Sequence, residues 1–172
     1  MATTTVQDQA TEVQNQAKQA FGFVPNLITE MTDHNPAVGA AYLSANGALE
    51  DGVLTPAEQQ AVILAVSSYN DCHYCTKAHA AAGQQAGLSA ETVNTINAGG
   101  LPDDERLQTL VQATRKVLGK RGWLSDTDLS DLEVDGIDRG ELYEIVALVG
   151  AKTISNYINH IAGTEVDEPF RQ

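Results

Sequence analysis

Hydrophobic residues recur every three or four positions over most of the chain, and this spacing predicts amphipathic helices. After Pro36, which suits a first helical turn, the apolar positions Val38, Ala41, Tyr42, Ala45 and Leu49 illustrate the pattern. No stretch of alternating polar and apolar residues is long enough to predict a strand. The pattern therefore predicts an all-α fold.

The middle of the chain contains its clearest helix start. Thr55 can cap, Pro56 stands at the first helical position, and Glu58 follows Thr55 by three residues, as in a capping box. Residues 61–66 are apolar on every side, which indicates a helix through the centre of the fold. Asp71 is then expected to cap a new or kinked helix that has both Cys72 and Cys75 in its first turn.

Later helix starts are marked by capping residues. They are Ser89, Asp103 or Asp104, Ser125 or Asp126, and the beginning of a last long helix that runs from about Arg139 to Gly163. Residues 144–159 can be laid over residues 60–75, which places Asn156 on Cys72 and Asn159 on Cys75 and is compatible with two related helical units.

The length of 172 residues suits one domain that buries its own core. We divide it into a polar N-terminal segment, residues 1–20, frayed at its start, a helical domain, residues 21–168, and a tail, residues 169–172. Residues after Gly163 are expected to be extended. Trp123, the single tryptophan, is expected to pack over a helix end or to line a subunit contact.

Charge and termini narrow the classes of function. The formal net charge of −13 repels phosphate backbones and anionic lipids, so neither nucleic acid nor a membrane is expected as a partner. The N-terminus has no basic start or apolar stretch that would indicate a signal peptide. Two cysteines three residues apart do not form a secreted disulfide framework, and we expect a reducing, cytoplasmic location.

Cys72, Cys75 and His79 carry the candidate chemistry. At spacings of three and four residues they project from one helical face. A helix N-terminus lowers the pKa of a nearby cysteine, and Cys72 is best placed for that effect. Cys75 has His79 one turn away as a base, which makes Cys75 the candidate peroxidatic thiol. Its sulfenic acid could condense with Cys72 to form a disulfide that an external dithiol reduces.

Two other interpretations concern neighbouring residues. Zinc could recruit Cys72, Cys75 and His79 with His73 or His160, but a CxxC with one histidine inside a helix is a poor tetrahedral clamp. We therefore predict neither a metal nor a cofactor.

Glu58 is a candidate catalytic residue that orients His79 from the preceding helix. The capping box with Thr55 explains a glutamate at this position equally well.

The segment AVSSYNDCHYCTKAH, residues 65–79, resembles the carboxymuconolactone decarboxylase and AhpD-like alkylhydroperoxidase family, in its peroxidase-related branch. The likeness includes FGFVPNLITEM near the start and ELYEIVALVGAKTISNYIN near the end, and covers roughly residues 20–168. The resemblance implies a helix bundle around the CxxC, trimers or hexamers, and reduction of organic hydroperoxides.

Position by position, the resemblance implies that Cys75 is the peroxidatic cysteine, Cys72 the resolving cysteine that exchanges with a dithiol or protein reductant, and His79 the relay base. The chain departs from the family at the position of the relay glutamate, where it has Gln60. This matters for the proton relay, because an amide cannot accept a proton as a carboxylate does. Glu58 and Glu144 are candidate substitutes. Tyr74 replaces the histidine that precedes the second cysteine in the best-studied alkylhydroperoxidases.

The leading hypothesis is thus an antioxidant enzyme that reduces hydroperoxides through a dithiol cycle. An alternative is a decarboxylase or lactone-processing enzyme for a dicarboxylate, which would need cationic groups that this chain has in small number. Another is a non-enzymatic module in which disulfide formation changes oligomer packing.

Overall fold

The computed structural model describes residues 5–171, and these residues contain α-helices and one 3-10 helix but no strand. The predicted all-α fold is confirmed. The helices are α1 Val6–Phe21, α2 Asn26–His34, α3 Pro36–Leu49, α4 Pro56–Tyr69, α5 His73–Gln85, α6 Ala90–Asn97, α7 Glu105–Lys120, α8 Asp126–Val134 and α9 Arg139–Ala162.

Local capping sets where most helices begin. Thr55 accepts from the Glu58 backbone while Glu58 binds the Thr55 backbone, and three further helices, α1, α8 and α9, begin with the same reciprocal arrangement. The predicted starts at Ser89 and Ser125 are confirmed. The predicted fraying at the start of the chain lies partly outside the described residues.

Helix α4 is the centre of the packing, as its apolar sequence predicted. Every residue from Ala61 to Ser67 is buried, and the helix packs against α5, α6, α7 and α9. One layer of its core includes Val62 and Ile63 with Leu110 and Ile145. The helix reaches the surface at its C-terminal end, where Tyr69 is half-exposed, and the chain is buried again at Cys72.

The segment after α9 is not a free tail. Residues 164–167 have no regular secondary structure, and the 3-10 helix Glu168–Phe170 follows. Buried Asp167 accepts hydrogen bonds from the Tyr74 hydroxyl and the Asn26 amide at 2.5 and 3.0 Å. The ring of Phe170 lies 5.6 Å from that of Phe23. The boundary expected at residue 168, between the helical domain and the tail, therefore falls inside a segment that packs on the domain.

Trp123 packs over no helix end in this chain, because it is 86% exposed. That part of its prediction was wrong, and a subunit contact remains a prediction. In the described part of the chain, no helix has the length and apolar character needed to span a bilayer.

Candidate functional site

A sharp reversal after α4 places the CxxC. Asp71 adopts a left-handed conformation with φ of 53°, and the Cys72 amide donates to the Ser67 carbonyl at 2.9 Å. Cys72, and not Asp71 as expected, is the N-cap of α5. Cys75 is then the third helical residue, so both sulfurs lie at the N-terminal end of α5, where the helix dipole favours negative charge.

The two cysteines are free thiols that share a partner on α9. They are 1% and 2% exposed. The Asn159 amide nitrogen lies 3.2 Å from the Cys75 sulfur and 3.9 Å from the Cys72 sulfur. The Cys75 sulfur lies 4.0 Å from the Ser155 oxygen, whose own proton is donated to the Lys152 carbonyl. The structure therefore brings the predicted pair together against an asparagine amide that can stabilise a sulfur anion.

The charge of the pair is concentrated on Cys75. A hydrogen bond from Cys72 is the main cause that lowers the pKa of Cys75, to about 6; burial opposes it, and the Lys152 charge and two asparagines reinforce it. The same hydrogen bond, with burial, raises the pKa of Cys72. The helix N-terminus thus does not make Cys72 the more acidic thiol, because Cys72 is the donor to its neighbour.

Both ring nitrogens of His79 have partners other than sulfur. Nδ1 lies 3.0 Å from the Gln60 carbonyl oxygen, and Nε2 lies 2.8 Å from the Lys152 ammonium. Lys152 also donates to the Tyr42 hydroxyl at 2.7 Å. Burial is the main cause that lowers the pKa of His79, and Lys152 adds to it. The ring is therefore neutral, accepts at Nε2 and donates from Nδ1 to Gln60.

Neither candidate glutamate takes the place of Gln60. Glu58 forms the capping box with Thr55 and an ion pair with Arg106 at 2.6 Å. Glu144 accepts from the Val53 and Leu54 amides at 2.5 and 3.1 Å. Each carboxylate is held by donors at the far end of α4, so the proposed orientation of His79 by Glu58 was wrong. Gln60 itself contacts the histidine.

Sequence reasoning missed most of the polar groups that α9 contributes. Lys152, Ser155, Asn156 and Asn159 are all buried and spaced three or four residues apart, so they form one face of the helix. A signal was present, since these polar residues interrupt an otherwise apolar helical pattern. Tyr42 gave no such signal, because a tyrosine at an apolar position is typical of a core.

A cavity of about 340 Å³ opens beside the site. Cys75 and His79 contribute to its wall, whereas Cys72 does not. The remaining wall is mainly apolar and rich in aromatic rings, among them Phe21, Phe23, Tyr42, Tyr74 and Phe170. Within residues 5–171, no Asp, Glu, Lys or Arg side chain lines it. Of the two cysteines, Cys75 is therefore the one that a molecule in the cavity can reach.

The chain is similar to known proteins in sequence pattern and in fold. Residues 36–116 match the carboxymuconolactone decarboxylase family. None of the curated proteins matches significantly.

Solved structures with the same fold include a peroxidase-related protein with an alkylhydroperoxidase AhpD core from Ralstonia eutropha JMP134, at TM-score 0.82 and 22% identity over 95% of this chain and 87% of that one. A peroxidase-related protein from Silicibacter sp. TM1040 has TM-score 0.78 and 18% identity over the same shares. The debrominase Bmp8 has TM-score 0.70 and 15% identity over 95% and 88%. The chain therefore has an AhpD-like fold, and its residues 36–116 are similar to the carboxymuconolactone decarboxylase family, as the sequence indicated.

Proposed function

We propose that this protein reduces organic hydroperoxides through a dithiol and disulfide cycle at Cys75 and Cys72. The observation that carries the proposal is an acidic thiol, Cys75, at the wall of an apolar cavity, with a second thiol hydrogen-bonded behind it. The peroxidase-related proteins of the same fold support the proposal by analogy.

The cycle balances with these two sulfurs. The Cys75 thiolate attacks the terminal peroxide oxygen, the O–O bond breaks, and the alkoxide takes a proton to leave as an alcohol. Cys75 is then a sulfenic acid. The Cys72 thiol attacks its sulfur, a disulfide forms, and water leaves. An external dithiol reduces the disulfide, which fits a reducing compartment such as the cytoplasm.

The cavity wall favours uncharged, apolar substrates. A dicarboxylate would enter without a lysine or arginine to pair with it, and an unpaired charge in an apolar site is costly. This counts against the decarboxylase alternative. Bulky alkyl or aryl hydroperoxides, by contrast, gain from burial against the aromatic rings.

The reduced protein is therefore expected to lose two thiols for each hydroperoxide consumed in a single turnover. The second-order rate constant should rise from hydrogen peroxide to tert-butyl to cumene hydroperoxide, by about tenfold or more overall, because each added apolar group is buried in the cavity. Stopped-flow peroxide consumption with thiol counting measures both quantities. Loss of thiols without repeated turnover by any dithiol would instead favour the redox-sensing alternative.

Reductive dehalogenation is a second candidate. The aromatic cavity favours it, and a variant of the debrominase of similar fold binds 2,3,4-tribromopyrrole. The reaction would exchange a carbon–halogen bond for a carbon–hydrogen bond and release halide while the two thiols become a disulfide. Halide release from a bromopyrrole without hydroperoxide turnover would replace the first proposal by this one.

The outer face of α9 supports the proposed trimer or hexamer. Exposed apolar side chains follow it at helical spacing, at Tyr143, Val146, Ile154, Tyr157 and Ile161. The stripe is about 27 Å long at 1.5 Å per residue, longer than isolated surface residues explain. Another copy of this chain is the occupant we propose, because an apolar stripe is complementary to itself when the same surface of two identical chains meets.

Replacing Tyr157 by Glu should therefore dissociate the oligomer, because it places a charge in the centre of the stripe. Light scattering after size exclusion measures the mass. The matched control is Tyr69→Glu, at a half-exposed tyrosine outside α9, which should leave the mass unchanged. A monomeric parent protein at micromolar concentration would contradict the proposal.

A further inference from the structure

Lys152 is a buried lysine without a carboxylate. Its side chain is fully buried on α9, 0% exposed, and no Asp or Glu lies within 4.0 Å of its ammonium among residues 5–171. Its two hydrogen-bond partners, the Tyr42 hydroxyl and His79 Nε2, are neutral acceptors. A buried ammonium is costly unless a negative charge compensates it.

The compensating charge is available one helical turn away. Ser155, three residues after Lys152, reaches the Cys75 sulfur, so the lysine and the sulfur lie on the same side of α9. Cys75 is buried, and its sulfur accepts a hydrogen bond from the Asn159 amide. The positive charge of Lys152 lowers the pKa of the Cys75 thiol. A thiolate at Cys75 would neutralise the ammonium within the same enclosed site.

His79 is held as a neutral ring, so it cannot supply the negative charge that compensates Lys152. Its Nε2 accepts from Lys152, and its Nδ1 proton is donated to the Gln60 amide oxygen. An amide cannot take up that proton at neutral pH. The histidine thus holds the lysine in place as a neutral hydrogen-bond acceptor. Because its other nitrogen bonds the Gln60 amide, the described residues at this site form no proton relay that ends at a carboxylate.

We propose that Lys152 forms a buried ion pair with the Cys75 thiolate and, when that sulfur is oxidised, supplies a proton to the leaving alkoxide through the Tyr42 hydroxyl, which it bonds and which lines the cavity. The acid step rests on the proposed function, whereas the ion pair does not. In the reduced state Lys152 is an ammonium and Cys75 a thiolate. In the oxidised state the disulfide is neutral and Lys152 is a neutral amine, so the enclosed site carries no net charge in either state.

The balance holds for the whole half-cycle. The O–O bond breaks, the Cys75 sulfur takes the hydroxyl, the alkoxide takes the Tyr42 hydroxyl proton, and Lys152 gives its own proton to the Tyr42 oxygen. The Cys72 thiol then supplies its own proton to the departing hydroxide as the disulfide forms. Four segments contribute titratable groups that face the site. They are Cys72, Tyr74, Cys75 and His79 at α5, Tyr42 on α3, Lys152 on α9, and Asp167 in the C-terminal segment, which bonds Tyr74.

The first test measures thiolate absorbance against pH in the reduced protein. Lys152→Met keeps a similar volume but removes the charge, and it should raise the midpoint of the Cys75 titration by about 1–3 pH units. Lys152→Arg should restore a midpoint close to that of the parent. Lys77→Met, which removes an exposed charge on the same helix as Cys75, should change nothing. A parental midpoint in Lys152→Met would overturn the ion pair.

The second test needs no substitution. The parent protein, one pH unit above the Cys75 midpoint in weak buffer, is oxidised with diamide, and a pH indicator follows proton uptake. If Lys152 supplies the proton, no net uptake accompanies disulfide formation. Uptake of one proton per disulfide would show that Lys152 keeps its charge and would overturn the proposal. Because diamide replaces the hydroperoxide, failure to react with hydroperoxides would count against the proposed function alone.

Discussion

Cys75→Ser is expected to reduce single-turnover hydroperoxide consumption to the rate of the reaction without protein. A serine hydroxyl at this position is not ionised at neutral pH, so the variant has no nucleophile at the wall of the cavity. Stopped-flow consumption of cumene hydroperoxide by the reduced variant measures the loss.

Cys72→Ser is the matched control for that experiment. Its hydroxyl can still donate to the Cys75 thiolate, so the first turnover should continue. One thiol instead of two should disappear per hydroperoxide, and mass spectrometry should find a sulfenic acid on Cys75. Equal loss of the first turnover in both variants, or none in Cys75→Ser, would contradict the assigned roles.

The pH dependence of the parent follows from the same thiolate. The pKa of Cys75 is lowered to about 6 by the Cys72 hydrogen bond and the Lys152 charge, and the reactive form is the deprotonated one. The second-order rate constant of hydroperoxide consumption, measured by stopped flow, should therefore be near its maximum at pH 7–8 and fall as the pH decreases through about 6.

The largest expected effect on stability lies at Gly52, far from the sulfurs. A Cβ added there would overlap the carboxylate atoms of Glu144. The carboxylate would have to leave the Val53 and Leu54 amides that it binds. Two backbone donors would lose their anionic acceptor, so we expect Gly52→Ala to lower the free energy of unfolding by about 3 kcal/mol. Urea unfolding followed by circular dichroism measures it.

Gly47 provides the control for Gly52. It lies inside α3, and an added Cβ would meet nothing within 4 Å. Gly47→Ala should raise the free energy of unfolding by about 0.5–1 kcal/mol, because alanine costs less backbone entropy in a helix. If Gly52→Ala were as stable as Gly47→Ala, the bracing of the loop before α4 by Glu144 would be wrong.

Helix boundaries were predictable where the signal is local. The capping box of Thr55 and Glu58, the Ser89 and Ser125 caps and the central burial of α4 each depend on residues close in sequence. The cap of α5 was placed one residue too early, because the left-handed Asp71 results from the reversal after α4 and not from capping preference. The fate of the residues after Gly163 also depended on contacts that sequence spacing does not encode, above all the Tyr74 hydroxyl on Asp167.

The sequence alone determined the all-helical fold, the pairing of Cys72 with Cys75 and the nearness of His79, since these follow from helical period and capping within a few residues. Only the tertiary structure decided what these groups contact. His79 and Tyr42 meet Lys152 from positions 73 and 110 residues away, and both candidate glutamates are held elsewhere. The reason is that burial and charge at the sulfurs arise from how α3, α5 and α9 pack, and packing brings together residues whose separation along the chain carries no periodic signal.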